Sequence, residues 1–223
     1  MDDWELLCCR IQCVVPHKSP AFNDALRIYF TKERVRQHNE DRLRALGQPV
    51  LSISAVHEGN WASQASEDEA GNLHAYLCLS LRCQFMLTEN IWVERGLVNG
   101  AIGTLEDIVW PPDTVDPRSQ QPMALLIHFP GCNGRPLSIS EEGKPLVPVF
   151  PSRREFLHNN VECSRCRFPV TIAYAITVHK AQGITVPRAV LNITDREFST
   201  GLQYVAISRV KTLDDSVRRA IRL

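Results

Sequence analysis

The residues best suited to chemistry lie in one stretch near the carboxyl terminus, Thr177-Val-His-Lys-Ala-Gln-Gly183. A hydroxyl, an imidazole and an ammonium group occur within four positions there, on Thr177, His179 and Lys180, and each can donate a hydrogen bond to a phosphate oxygen. Gly183 follows them, and a glycine lets the backbone approach a ligand closely. These residue types are suited to a phosphate contact, but composition alone favours the end of an ordinary amphipathic helix.

A second candidate is Arg209, which ends the mostly apolar run Gly201-Leu-Gln-Tyr-Val-Ala-Ile-Ser-Arg209. An arginine at the end of a helix that packs against a sheet needs an anionic partner. A structural salt bridge would satisfy that need, and so would a bound phosphate. The residues alone leave both alternatives open.

Both ends of the chain show the patterns of alternating strands and helices that would position these groups. At the amino-terminal end, residues 25–30 predict a strand, and Thr31 is a suitable N-cap for a helix that runs to about residue 46. At the carboxyl-terminal end, the patterns predict a helix over 171–180, a strand over 189–193 and a helix over 202–209.

The middle of the chain has a β pattern. Apolar residues alternate strictly from Leu77 to Leu87, and Asn99-Gly100 is a dipeptide that suits a tight hairpin turn. Short apolar runs at about 123–129 and 146–150, separated by prolines and glycines, predict further strands of a small antiparallel barrel.

These patterns predict an α/β fold with two domains. Residues 1–72 and 168–223 are expected to form one discontinuous α/β domain, and residues 73–167 the β insertion that interrupts it.

The composition excludes some classes of protein. Lys plus Arg and Asp plus Glu both number 25, so the chain lacks the broad basic field of a nucleic-acid coat protein. Residues 151–223 carry twelve basic against six acidic residues, so any nucleic-acid contact is expected to be local. The acidic start and the lack of an 18-residue apolar window predict a soluble intracellular protein without a membrane contact. Eight irregularly spaced cysteines are expected to be reduced.

The two carboxyl-terminal stretches resemble motifs five and six of superfamily-one helicases, specifically of the petite-integration-frequency (PIF) family, which includes Helitron-type transposon helicases. Thr177-Val-His-Lys-Ala-Gln-Gly183 and Tyr204-Val-Ala-Ile-Ser-Arg209-Val carry the match. It extends to Gln84-Phe-Met-Leu-Thr-Glu-Asn90, to Gly96-Leu-Val-Asn-Gly100 and to a strand-helix segment from Arg27 to a characteristic asparagine, Asn39. The resemblance spans about residues 4–213. The sequence departs from the family at Arg82, where a glycine is common.

The resemblance implies the second RecA-like domain of an ATP-dependent DNA helicase of 5′-to-3′ polarity, interrupted by an SH3-like insertion. It implies that Arg209 is an arginine finger that reaches the γ-phosphate held by the first RecA-like domain. It assigns contacts with single-stranded DNA to Thr177, His179 and Lys180, and the nucleotide side of the same loop to Gln182 and Gly183.

A finger of this kind is expected to face an open cleft. Replacing Arg209 by alanine should then change the free energy of unfolding by no more than about 0.5 kcal/mol. If Arg209 instead formed a buried salt bridge, the same change would cost about 3 kcal/mol or more.

The sequence shows no phosphate-binding loop, which requires Gly-x-x-x-x-Gly-Lys-Ser/Thr. The nearest match, Gly143-Lys144, is followed by Pro145 and has Ser138 in place of the first glycine. The acidic pair Asp68-Glu69 lies in a polar segment and not at the end of an apolar strand.

We therefore expect the chain alone to be inactive, and to need ATP and Mg²⁺ only within a complete helicase. The expected partners are single-stranded DNA and a first RecA-like domain. The expected compartment is the nucleus in preference to the mitochondrion.

One cysteine pair, Cys163-Ser-Arg-Cys166, has the spacing of half a zinc site, and His128, Cys132 and His158 are conceivable further ligands. A second closely spaced pair is missing, so no metal site is predicted.

Two alternatives to an enzyme fragment stay open. One is a catalytically dead module that binds single-stranded nucleic acid, such as a decayed transposon helicase. The other is a zinc-stabilised interaction domain.

Overall fold

The computed structural model describes residues 22–66, 69–70, 73–117, 120–134, 136, 138–192, 202–211 and 216–219. The chain divides into two compact units. The first combines Met1–Ala45 with Ala173–Leu223, and the second is Leu46–Ile172. Within the described residues, every helix is too short or too polar to cross a membrane.

The described elements are, in chain order, β1 (Leu26–Tyr29), α1 (Lys32–Ala45), β2 (Leu51–Ser54), β3 (Val56–Glu58), β4 (Tyr76–Leu79), β5 (Gln84–Leu87), β6 (Ile102–Val109), β7 (Ala124–His128), β8 (Ser138–Ile139), β9 (Pro145–Val149), β10 (Ser152–His158), β11 (Val161–Arg167), β12 (Val170–Ile172), β13 (Ala175–Thr177), β14 (Ala189–Asn192), α2 (Leu202–Ile207) and β15 (Ser216–Arg219). Single 3₁₀ turns cover Ala62–Gln64 and Val93–Arg95.

The first unit is built on a parallel sheet whose described strands have the order β13-β1-β14-β15. Strand β1 lies inside this sheet, and its residue Arg27 is paired with Ala175 on one side and Val190 on the other. All neighbouring strands run parallel, so their carboxyl ends meet at one edge of the sheet. In open α/β sheets, ligands bind at this edge.

Helix α1 packs against β1 and β13 although it is strongly polar. It begins after Thr31, whose Oγ1 accepts a hydrogen bond from the Arg34 amide at 3.4 Å, as predicted for an N-cap. Leu43 is its buried residue. Arg42 contributes further contacts, because its guanidinium pairs with Asp24 at 2.9 Å and lies over the Tyr174 ring at 5.0 Å.

The predicted strands over 25–30 and 189–193 and the predicted helices over 31–46 and 202–209 are confirmed as elements. The last helix ends at Ile207, two residues earlier than predicted, and Ile193 lies outside the described residues. The predicted helix over 171–180 is wrong. Those residues form the end of β12, then β13, then a turn that begins at Val178. Alanines favour a helix locally, but β13 pairs with the buried strand β1, and this tertiary pairing overrides the local preference.

The second unit consists of antiparallel β structure, as predicted. Six described strands form one sheet of order β12-β5-β6-β7-β9-β8, and smaller sheets join β10-β11-β3 and β2-β4. The core of the large sheet contains fully buried apolar side chains: Phe85, Leu87, Leu105, Leu125 and Ile127.

The borders of this unit differ from the predicted borders at 72/73 and 167/168. Strand β2 pairs with β4, and β3 pairs with β11, so the segment from Leu46 onward belongs to the β unit. Strand β12 pairs with β5, which moves the second border to 172/173. Pairings between strands so far apart in sequence leave no local signal.

Arg82 has a left-handed backbone conformation, with φ +67°, in the turn between β4 and β5. This conformation is costly for a residue with a side chain. The Arg82 guanidinium forms ion pairs with Glu106, at 2.8 Å, and with Glu142, and Lys144 pairs with the same two carboxylates. The side chain thus provides contacts that a glycine would not have.

Arg165 is a fully buried arginine that holds the segment between β3 and β4. Its guanidinium donates to the carbonyl oxygens of Leu73 at 2.7 Å, Ala65 at 2.8 Å and Ala62 at 3.3 Å. Its Nε donates to Nδ1 of His57 at 3.3 Å. Burial, together with the Arg165 charge, lowers the pKa of His57, which favours the neutral ring that can accept this bond.

Candidate functional site

Thr177, His179 and Lys180 lie together at the carboxyl end of β13 in the first unit. Thr177 is the last residue of the strand and is 7% exposed. Its carbonyl oxygen accepts a hydrogen bond from the Ala181 amide at 3.0 Å, and its hydroxyl accepts one from the Lys180 amide at 3.3 Å. These bonds turn the chain away from the sheet immediately after the strand.

Residues 178–184 form the turn that carries the other candidates, and we call it the β13 turn. The Gln182 amide donates to the His179 carbonyl at 3.2 Å, and the Ile184 amide donates to the Ala181 carbonyl at 3.3 Å. Gly183 has φ +79°, and nothing lies within 4 Å of the position that a Cβ would occupy. Glycine is therefore required here by the backbone conformation and not by a close neighbour.

The candidates differ in their access to solvent. His179, Gln182 and Gly183 are exposed, and Lys180 is half-buried. Thr177 is buried, and its hydroxyl accepts one bond from the turn, which leaves the hydroxyl proton for donation to a phosphate oxygen. His179 is thus the most accessible of the three residues predicted to contact DNA.

Arg209 follows α2 and is bound to the β13 turn. Its Nη1 donates to the carbonyl oxygens of Ala181 and Ile184, both at 3.3 Å. Its Nε donates to the Val205 carbonyl at 2.8 Å, and its Nη2 donates to the Ser208 hydroxyl at 2.6 Å. The structure therefore brings both groups of candidate residues to one place.

These contacts correct the expectation that Arg209 faces an open cleft. The side chain is half-buried, and its acceptors are carbonyl and hydroxyl oxygens. In the described part of the chain, no carboxylate lies within ion-pair distance of Arg209. Hydrogen bonds from a charged donor contribute about 1.5–3 kcal/mol when buried, so we now expect Arg209→Ala to cost about 1–2 kcal/mol of stability.

Asn39 on α1 holds the strand that leads into the turn. Its side-chain Nδ2 donates to the Ala175 carbonyl at 3.1 Å, and its Oδ1 accepts from the Ala175 amide at 2.8 Å. Strand β13 lies at the edge of the described sheet, and its Tyr174 carbonyl and Val178 amide bond to β1. The two Ala175 groups therefore point away from the sheet, and one side-chain amide satisfies both. The family resemblance drew attention to Asn39 but did not assign it this role.

We expect Asn39→Leu to lower the free energy of unfolding by about 1–3 kcal/mol, because leucine has a similar volume and leaves both Ala175 groups without a partner. Urea unfolding of the purified chain measures this change. The matched control is Gln37→Leu, which removes an exposed amide from the same helix and should change stability by no more than about 0.5 kcal/mol. Equal losses in the two variants would contradict the role of Asn39.

The cysteine pair does not form a metal site with its conceivable partners. Cys163 and Cys166 lie three residues apart on β11, and such residues point to opposite faces of a strand. Cys163 Sγ donates to the Asn60 carbonyl at 3.5 Å, and His158 contacts Glu69 at 3.2 Å. No group of three or more His, Cys, Asp or Glu side chains that could bind a metal ion occurs among the described residues, to which Asp68 does not belong.

Comparison with known proteins identifies relatives for most of the chain. No family model matches it. The ATP-dependent DNA helicase PIF1 of Danio rerio is 30% identical over 192 residues, which is 85% of this chain and 26% of the relative. The ATP-dependent DNA helicase Pif1 of Bdellovibrio bacteriovorus is 25% identical over 186 residues, 83% of this chain and 37% of the relative. The chain thus spans between a quarter and two fifths of the length of these relatives.

Solved structures have the same fold. The Pif1 helicase of Candida albicans superposes with a TM-score of 0.64 at 23% identity, covering 89% of this chain and 45% of that one. The Bacteroides Pif1 helicase in complex with ADP-AlF3 and ssDNA has a TM-score of 0.58 at 21% identity, covering 91% and 42%. These solved structures share the mixed α/β fold of this chain. The Danio rerio relative, 30% identical over 85% of this chain, carries the assignment, and the chain belongs to the Pif1 family of DNA helicases.

Proposed function

We propose that this chain is the second RecA-like domain of a Pif1-family 5′-to-3′ DNA helicase, a carboxyl-terminal portion that supplies contacts to single-stranded DNA and the arginine finger. One observation carries the proposal: the Arg209 guanidinium donates to two carbonyls of the β13 turn, which also contains His179 and Lys180. A group suited to the nucleotide and groups suited to the DNA backbone thus share one structural element. The second unit is proposed to be the SH3-like insertion, which its antiparallel sheets support.

The DNA contacts are proposed to run through phosphates. The exposed imidazole of His179 and the ammonium of Lys180 are donors to phosphate oxygens, and the Thr177 hydroxyl adds a third donor at the base of the turn. The Bacteroides relative was crystallised with ssDNA, which supports single-stranded DNA as the ligand of this chain. Such contacts do not distinguish base sequences. The ligand also requires a compartment that contains DNA, and we propose the nucleus.

The nucleotide side is incomplete within these 223 residues. Arg209, Gln182 and Gly183 can border a nucleotide, but the sequence shows no phosphate-binding loop. The residues that the structure describes also include no carboxylate cluster suited to Mg²⁺. We propose that the phosphate-binding loop is supplied by a first RecA-like domain. In that setting the role of Arg209 is to stabilise the negative charge on the transferred phosphoryl group.

We expect the purified chain to bind labelled single-stranded oligonucleotides of different sequence with similar, weak affinity, and to hydrolyse no ATP. Raising the salt concentration from 50 to 200 mM should weaken binding, because each phosphate contact releases a counterion. Fluorescence anisotropy measures the affinity, and a phosphate-release assay measures hydrolysis. The double variant His179→Ala/Lys180→Ala should bind less tightly than the unmodified chain.

The control is Lys211→Ala, which removes an exposed positive charge outside the β13 turn. Its affinity for DNA should stay close to that of the unmodified chain. Base-specific binding that survives high salt would contradict the proposed function, as would DNA-stimulated ATP hydrolysis by the chain alone.

A further inference from the structure

The hydrogen bonds of Arg209 reach backward to the turn that is proposed to contact DNA. Its Nη1 donates to Ala181 and to Ile184, the two carbonyls on either side of Gln182 and Gly183. Gly183, whose φ is +79°, lies between these two carbonyls, and a single nitrogen reaches both. We propose that Arg209 is a positioning residue that fixes the β13 turn in the conformation that binds single-stranded DNA. This inference rests on the proposed function.

The guanidinium of Arg209 is also held by hydrogen bonds at the end of α2. Ser208 accepts a hydrogen bond from Nη2 of Arg209, and its hydroxyl donates to the Val205 carbonyl at 3.0 Å. The same Val205 carbonyl accepts from Nε of Arg209 at 2.8 Å. Carbonyls in the last turn of a helix lack partners within that helix, and Arg209 supplies one here. The end of α2 and the β13 turn are therefore joined by one planar group.

A main-chain hydrogen bond also joins the segment after the β13 turn to the end of α2. The Val186 amide donates to the Arg209 carbonyl at 2.9 Å, so the segment just after the β13 turn also bonds to the end of α2. Within the turn, the Ala181 and Ile184 amides donate to carbonyls only three or four residues earlier in the sequence. Bonds of that range do not fix where the turn lies relative to α2. The two hydrogen bonds from Nη1 do, and the nearer acceptor in sequence, Ala181, is two residues from His179.

A lysine cannot replace Arg209 in this role. The guanidinium is a rigid fork that donates in three directions at once, whereas an ammonium group is a single point on a flexible stem. Arg209→Lys keeps the charge and loses the bridge between Val205, Ser208 and the turn carbonyls. The two substitutions Arg209→Lys and Arg209→Ala therefore separate a positioning role from a charge that meets phosphate directly.

The first experiment measures the affinity of the full chain for a fluorescent oligothymidylate. We expect both Arg209→Ala and Arg209→Lys to weaken binding by about tenfold, within the range of coupling between contacting groups. Lys211→Ala removes a nearby charge and should have little effect. If Arg209→Lys instead retains the affinity of the unmodified chain, Arg209 acts through its charge and the inference is overturned.

A double-mutant cycle tests whether Arg209 acts through the turn. In a chain that already carries His179→Ala, the further change Arg209→Ala should cost much less affinity than it does alone, because the contact that it positions is gone. Additive losses would contradict the inference. Urea unfolding of each variant establishes that all of them are folded under the binding conditions.

Amide hydrogen exchange tests the position of the turn without DNA. In Arg209→Ala, the amides of Ala181, Gln182 and Ile184 should exchange about tenfold faster or more, while that of Ile28 inside the sheet should not change. Unchanged exchange in the turn would refute the positioning role, whether or not the chain binds DNA. Failure of the unmodified chain to bind oligothymidylate would refute the proposed function instead, so the two failures are distinguishable.

Discussion

Arg209→Ala is expected to reduce DNA-stimulated ATP hydrolysis by roughly 10³-fold or more once the chain is joined to a compatible first RecA-like domain in one polypeptide. Arginine fingers contribute on this scale to phosphoryl transfer, because they meet charge that develops as the phosphoryl group leaves. The measurement is kcat at saturating single-stranded DNA and saturating ATP. At saturating DNA, the weaker DNA binding expected from the positioning role no longer affects the rate. The remaining decrease in kcat therefore reports on ATP hydrolysis itself.

The control in the same two-domain polypeptide is Lys211→Ala, which should leave kcat nearly unchanged. Arg209→Lys should be almost as inactive as the alanine variant, since an ammonium group cannot copy the geometry of the fork. Near-normal turnover in Arg209→Ala, together with a marked loss of stability, would show that this arginine is structural and that the finger lies elsewhere.

Arg165→Ala is expected to destabilise the second unit by about 3–5 kcal/mol. The change strands the buried carbonyls of Leu73, Ala65 and Ala62, and each buried group without a partner costs about 1–3 kcal/mol. Arg165→Met should lose nearly as much stability, because it restores apolar volume but no donor. Urea unfolding followed by circular dichroism gives the stability, and amide exchange over residues 59–66 and 73–75 locates the loss.

A matched control for Arg165 lies on the neighbouring strand. Arg153 is half-exposed and pairs with Glu58 at 2.8 Å, so Arg153→Ala should cost about 1 kcal/mol or less, as for other surface ion pairs. If Arg165→Ala costs no more than Arg153→Ala, the buried hydrogen bonds of Arg165 are not what holds the segment between β3 and β4.

The sequence identified the candidate residues because their chemistry is local. Thr177, His179 and Lys180 lie within four positions, and the structure shows them at the end of one strand. The same local composition led to the wrong helix over 171–180. What decides the conformation there is pairing with β1, nearly 150 residues earlier in the chain, and no pattern within the segment reports it.

Other contacts of the site could not be predicted from the sequence because the partners of the side chains are main-chain groups. Every residue except proline carries the same amide and carbonyl, so nothing marks Ala181 and Ile184 as partners of Arg209, or Ala175 as the partner of Asn39. Arg82 is an intermediate case. Its place at a family glycine pointed to unusual local geometry, and its φ is +67°.

The contact between Asn39 and Ala175 also bears on how the chain behaves among copies of itself. In the described sheet, β13 is an edge strand, and exposed edge groups act as a template on which a strand of another molecule can add. Asn39 occupies the amide and the carbonyl that such a strand would need at Ala175. Within the described sheet, a single helix side chain thus leaves no pairing group at Ala175 for an added strand, at the strand that leads directly into the candidate site.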